Sequence, residues 1–163
     1  MSEIPLQLEY AVEAEVTPVF AWQFRTNVSN WNDPPAQFAL DGPFEAGSRG
    51  TTKLPGQETL HWRICDVRHG ESFVTELQLD RATLTFEWYF DGVSEDRTKL
   101  TQRIVLSGEN AGAYAGQVEA GFGPNLPGGM ERIAAEMVAA QNRSNRAAPK
   151  ARGNSTTSFE TSA

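Results

Sequence analysis

The chain is poor in the residues that most often announce chemistry: it has one cysteine and two histidines among 163 residues. Cys65 alone excludes an internal disulfide framework and fits a reducing, cytoplasmic setting. His61, His69 and Cys65 are the available soft ligands, and no second pair completes a tetrahedral site, so no metal is expected. Positive charge is also scarce. Fourteen Lys and Arg face 21 Asp and Glu, a net charge of -7, which excludes nucleic acid as the main partner because phosphate binding needs a clustered cationic face. No apolar run approaches the roughly 20 residues of a membrane-spanning helix, so no integral membrane association is expected. The opening MSEIPLQLEY has neither a basic n-region nor an apolar h-region, and no signal peptide is expected. The sequons at Asn27, Asn142 and Asn154 are therefore read as incidental.

Aliphatic residues thin out at the C-terminal end. The segment 142–163, NRSNRAAPKARGNSTTSFETSA, is too polar to offset its ordering entropy and is expected to be a disordered tail carrying a solvated basic cluster (Arg143, Arg146, Lys150, Arg152). Residues 1–141 are expected to form one domain.

Leu6 to Ala14 alternates apolar and polar residues, the period of a half-buried strand. Thr17-Pro18 supplies an N-cap and a proline in the first turn, predicting a helix over Pro18 to Arg25 with Val19, Trp22, Phe20 and Phe24 inward. A helical turn is predicted over Val28 to Trp31, stopped by Asp33-Pro34-Pro35. Strands follow at Phe38–Leu40, Gly47–Leu54, Glu58–Val67, Ser72–Leu79, Ala82–Asp91 and Lys99–Ser107, with His69-Gly70, Asp80-Arg81 and the polar Gly92–Asp96 stretch as connections. Leu84, Phe86, Trp88 and Phe90 share one face, as do Leu100, Gln102, Ile104 and Leu106. After Gly108 the period changes. Tyr114, Val118 and Phe122 stand four apart, Gly121–Gly129 interrupts, and Met130, Ile133, Ala134, Met137 and Val138 mark one stripe of a long helix.

Strand, two short helices, six strands and one long helix describe an α+β domain. The economical packing is a curved six- to seven-stranded antiparallel sheet gripping the terminal helix with its concave face. Several fragments carry a resemblance in their order and spacing: Val16-Thr17-Pro18-Val19-Phe20, Val28-Ser29-Asn30-Trp31, Gly47-Ser48-Arg49-Gly50, Ile64-Cys65-Asp66-Val67 before Phe73, Ala82-Thr83-Leu84-Thr85-Phe86-Glu87 and Thr98-Lys99-Leu100-Thr101-Gln102-Arg103. Across residues 6–141 the chain resembles the START-related SRPBCC superfamily, with its helix-grip fold, and within it the polyketide cyclase/dehydrase-like group. The resemblance implies an internal pocket for hydrophobic small molecules, no metal or nucleotide cofactor, and no transferable set of catalytic residues. The chain departs from the group's pattern at Gly121–Gly129, which breaks an often continuous helix. It departs again at Gln102, where an aromatic residue or histidine is common.

Candidate chemistry is sparse. Alternation puts Trp62 and Ile64 on the core face and Cys65 on the convex one, an incidental thiol. Cyclising or dehydrating a polyketone needs a base beside a carbon acid, and Glu58, Glu76 and Glu87 fall on neighbouring strands. Glu76 and Glu87 nevertheless alternate with Leu77, Phe86 and Trp88, so they are expected outward, paired with Arg63, Arg103 or Lys99. No catalytic residue is assigned. Gln102 admits two readings: a hydrogen bond to nearby backbone or to Thr75, or an anchor for a ligand hydroxyl or carbonyl. The expected cavity lining is Trp22, Trp31, Trp62, Ile64, Phe73, Thr75, Leu77, Phe86, Trp88, Gln102, Ile104, Phe122, Met130, Ile133 and Met137. The functional expectation is binding of a small hydrophobic or aromatic molecule, with or without cyclase/dehydrase-type activity. The alternative is a non-catalytic protein-interaction module, co-chaperone-like or toxin-like, on the same fold.

Overall fold

A computed structural model describes the backbone of residues 6–159 and the side chains of residues 6–146. Its elements are β1 (Leu6–Ala14), α1 (Pro18–Arg25), a 3-10 turn (Val28–Asn30), β2 (Gln37–Asp41), β3 (Arg49–Lys53), β4 (Leu60–Arg68), β5 (Ser72–Leu79), β6 (Ala82–Ser94), β7 (Arg97–Ser107), a second 3-10 turn (Ala111–Ala113), α2 (Ala115–Phe122) and α3 (Leu126–Phe159). The seven strands form one antiparallel sheet in the order β1-β7-β6-β5-β4-β3-β2. This is the helix-grip arrangement.

Local chemistry starts and stops the elements where the sequence signals them. Thr17 Oγ1 accepts from the Phe20 N–H at 3.1 Å, and Pro18 occupies the first turn of α1. The β4–β5 hairpin turns at Gly70, whose φ of +79° suits a residue without Cβ. Two expectations shift. The connection predicted over Gly92–Asp96 shrinks, because β6 continues to Ser94 and β7 begins at Arg97. Beside this turn, the Thr98 hydroxyl donates to the Val16 carbonyl at 2.9 Å. Val19, expected inward, is 66% exposed: the face of α1 that meets the core carries Ala21 and Trp22, and Val19 lies about 200° around the helix from Ala21. The polar segment expected to be a disordered tail carries helical backbone as far as Phe159, while its residues 160–163 and the side chains of Lys150 and Arg152 lie outside the described residues.

The register writes the concave face as cross-strand rows. One runs Gly50, Trp62, Leu77, Leu84, Leu106 and Leu6; the next Ile64, Thr75, Phe86, Ile104 and Leu8; a third Val67, Phe73, Trp88, Gln102 and Tyr10. A bulge at Cys65 lets both Ile64 and Val67 face inward. Against this surface α3 lays Met130, Ala134 and Met137, each fully or nearly buried. The Tyr10 hydroxyl donates to Glu131 Oε2 at 2.9 Å, and Gln141 Oε1 accepts from the Thr17 N–H at 2.9 Å, so α3 is fixed to β1 and to the cap of α1.

The opposite face is wet and charged. Arg63 pairs with Glu76 at 3.3 Å, and Arg103 bridges Glu9 at 2.9 Å and Glu87 at 3.3 Å, across adjacent strands. The Tyr89 hydroxyl also donates to Glu87 at 2.6 Å.

Trp62 makes the tightest approach in the sheet. A Cβ built on Gly50 would stand 2.3 Å from the Trp62 indole, so the ring lies flat over β3 because residue 50 has no side chain. Trp62 Nε1 donates to Thr52 Oγ1 at 3.0 Å and holds the ring there.

Two outcomes follow. Met137→Glu, which buries a carboxylate with no partner, should cost at least about 3 kcal/mol and show as a large fall in Tm; a melting temperature equal to that of the native chain would mean the α3 stripe is misassigned. Gly50→Ala should displace Trp62, visible as altered tryptophan fluorescence and a moderate loss of stability, about 1–3 kcal/mol by overpacking.

Candidate functional site

The sheet bends around α3, but α3 does not fill it. Between the inner rows and the α2–α3 joint lies a cavity of about 730 Å³, within the range of roughly 300–1,000 Å³ common for small-molecule sites. The joint makes the room. α2 ends at Phe122, Gly123–Asn125 breaks the helix, and Gly121, Gly128 and Gly129 present backbone where larger side chains would intrude.

Of the expected lining, Trp31, Trp62, Phe73, Thr75, Leu77, Phe86, Trp88, Gln102, Ile104, Phe122, Met130 and Ile133 border the cavity. Trp22, Ile64 and Met137 do not. Trp22 turns edge-on to Phe73, Phe90 and His69 in the closed half of the core. Met137 packs in that same cluster, a helical turn or more beyond Met130, and Ile64 is fully enclosed by neighbours on the floor. The core is therefore solid at one end and hollow at the other, a division that periodicity does not express.

The walls are aromatic and mutually braced. Trp31 stacks on Trp62, with centroids 5.5 Å apart and planes at 24°, and meets Phe38 edge-on at 5.6 Å. Trp31 Nε1 donates to the Arg25 carbonyl at 2.7 Å, tying the ring to the end of α1. On the floor Trp88 stacks with Phe73, and near the mouth Phe86 meets Phe122 edge-on at 5.5 Å. The tryptophans wall the space without filling it.

Two neutral polar side chains face this surface. Thr75 is buried and Gln102 half-buried, on adjoining rows of the floor, and among the described residues neither side chain makes a hydrogen bond. The Gln102–Thr75 bond offered as a structural explanation is not formed. Both groups keep donor and acceptor capacity open to the cavity.

Sequence reasoning missed the charged part of the site. Arg25, Asn32, Asp33 and Arg132 line the mouth, contributed by the end of α1, the following loop and the first turns of α3. Arg132 pairs with Asp33 at 3.5 Å and Glu136 at 3.8 Å and donates to the Asn32 carbonyl at 3.1 Å. The Arg25 guanidinium carbon lies over the Trp88 ring at 4.3 Å and the Trp31 ring at 4.7 Å. A signal existed: the basic residue in the last turn of α1 falls three positions after Trp22, on the face that carries it into the interior.

The other candidates stand apart from the cavity. Cys65 sits at the bulge and its thiol donates to the Val74 carbonyl at 3.4 Å; burial and nearby Glu76 push its pKa up, so it stays protonated. Glu76 and Glu87 point to the convex face in ion pairs, and Glu58, placed on a strand by the sequence reading, is exposed in the loop before β4. The loop is where Pro55-Gly56 turns the chain, which delays the strand to Leu60.

No family model matches the sequence, and no curated protein matches it. Solved structures do match in shape. Norcoclaurine synthase of Thalictrum flavum, as a point mutant with a transition-state analogue, superposes with a TM-score of 0.66 at 9% identity, covering 87% of this chain and 97% of that one. The Zhui aromatase/cyclase of Streptomyces sp. R1128 also gives 0.66, at 16% identity, covering 91% and 98%. The di-domain aromatase/cyclase BexL gives 0.63 at 11% identity, covering 80% of this chain and 45% of that chain. At these identities the likeness is one of architecture, and on that ground the chain has the helix-grip fold.

Proposed function

We propose that this chain binds a small hydrophobic, aromatic molecule inside the helix-grip cavity. One observation carries the reading: a hollow of about 730 Å³ is walled by aromatic rings, while Thr75 and Gln102 face it without protein partners. A cavity kept for packing alone would be filled, since voids are costly and a buried amide needs a partner. Transfer of an apolar guest from water contributes about 25 cal/mol per Å² of surface buried, and the two polar groups select its orientation. Precedent in shape supports this. A norcoclaurine synthase structure that superposes with a TM-score of 0.64 at 10% identity was obtained in complex with dopamine and hydroxybenzaldehyde.

Polyketide cyclase/dehydrase-type activity is the narrower form of the same proposal. Among the described residues Asp33 is the carboxylate that lines the cavity, and it stands at the mouth, paired with Arg132. Cyclisation here would depend on holding a flexible chain in a reactive fold and polarising its carbonyls, not on a deep acid–base pair. The interaction-module alternative gains no comparable support. The large exposed apolar side chains Val19, Leu60, Val93 and Phe122 are scattered over four elements, and the convex face is covered by ion pairs.

Native mass spectrometry of the purified protein, followed by thermal shift against aromatic polyketide mimics and fatty acids, tests the reading. The expected result is a bound small molecule or a Tm increase of several degrees at saturating ligand, since a guest at 100 times its Kd adds about 2.7 kcal/mol. No bound species and no shift across both panels would remove the ligand-binding role.

A further inference from the structure

Arg25 is the polar group that the fold leaves least satisfied. Among the described residues its Nε is the buried side-chain nitrogen or oxygen with no hydrogen-bond partner. The residue as a whole is half-buried, and Nε is the side-chain nitrogen that has left water. Among the described residues no carboxylate compensates it at ion-pair distance. Asp33 and Glu136, the nearest acids to act on it, are both engaged by Arg132. Burial pushes the guanidinium down to about 9, opposed by Glu136 and Asp33 and reinforced by Arg132, which states the same imbalance in another way: the charged form is held at a cost.

Structural roles do not account for this arrangement. A basic residue near a helix C-terminus gains from the helix dipole, but that gain does not require its head to leave water. The contacts with Trp31 and Trp88 are favourable, yet they leave the N–H donors, which lie in the guanidinium plane, unanswered. A fork of unpaired donors lining an apolar cavity, its Nε removed from water, is what a planar anionic acceptor would complete, and bidentate pairing with a carboxylate matches that fork.

Resting on the ligand-binding reading above, we propose that the guest is a monocarboxylic acid with an apolar or aromatic body. Its carboxylate pairs with Arg25 at the cavity mouth, its body lies along Trp31, Trp62 and Trp88, and Gln102 and Thr75 meet any hydroxyl or carbonyl farther in. Asp33, the carboxylate among the lining residues, sets the charge limit. A dianion such as a phosphate would face it at the mouth, whereas a singly charged acid matches one uncompensated guanidinium.

The test compares 2-naphthoate with 2-naphthamide, probes of nearly equal size that differ in charge, by titration calorimetry or tryptophan quenching on the full chain. The native protein is expected to bind the acid at least tenfold more tightly than the amide. Arg25→Gln should bring the two affinities within about twofold of each other, and Arg25→Lys should keep part of the preference. Equal binding of acid and amide by the native protein, or a preference that survives in Arg25→Gln, overturns the carboxylate assignment and leaves the ligand-binding reading intact. Failure of either probe to bind, together with empty results from the wider panels, overturns both. Absence of an acid preference in the native protein overturns the assignment even if a variant is poorly behaved.

Discussion

Burial of one stripe of α3 against a bent sheet is the constraint on which the rest of this structure depends. Met130, Ala134 and Met137 are enclosed by the inner faces of the strands, and only a curved sheet can cover a cylinder of helix from β1 round to β4. Curvature then leaves a volume that the helix cannot occupy at the end where it begins. The glycine- and proline-rich joint before α3 keeps that end from being plugged. The cavity is thus a geometric consequence of gripping a helix that starts late.

The two faces of the sheet divide the chemistry. Outside, Arg63, Arg103, Glu9, Glu76 and Glu87 cross-pair in solvent, where such contacts contribute little stability and mainly keep the surface soluble. Inside, the rows are apolar except for Thr75, Gln102 and Tyr10, whose hydroxyl reaches Glu131. Among the described residues charge lines the cavity at the mouth, where Arg25 and Arg132 meet Asp33 and the aromatic wall. A site of this make-up recognises a guest by shape along the walls and by charge at one end.

Much of this was legible in the residues. Alternation in β6 and β7 assigned the inner and outer faces, Thr17-Pro18 placed the start of α1, and the spacing of Met130 to Met137 marked the stripe that α3 buries. The convex placement of Glu76 and Glu87 followed from the same period. Misreadings fell where alternation fails or has no say. The eight-residue α1 is too short for its stripe to exclude Val19, and a turn moves Glu58 off its strand.

By itself the sequence determined the element order, the helix-grip architecture and which faces are apolar, because side-chain periodicity and turn chemistry act over a few residues. Only the tertiary structure decided that Trp22 and Met137 lie in solid core while Trp31 and Met130 border a hollow, and that Arg25 and Arg132, distant in the chain, share one rim. Those outcomes rest on how far the sheet curves and where a helix breaks. Both are set by packing among remote segments, and no local pattern records them.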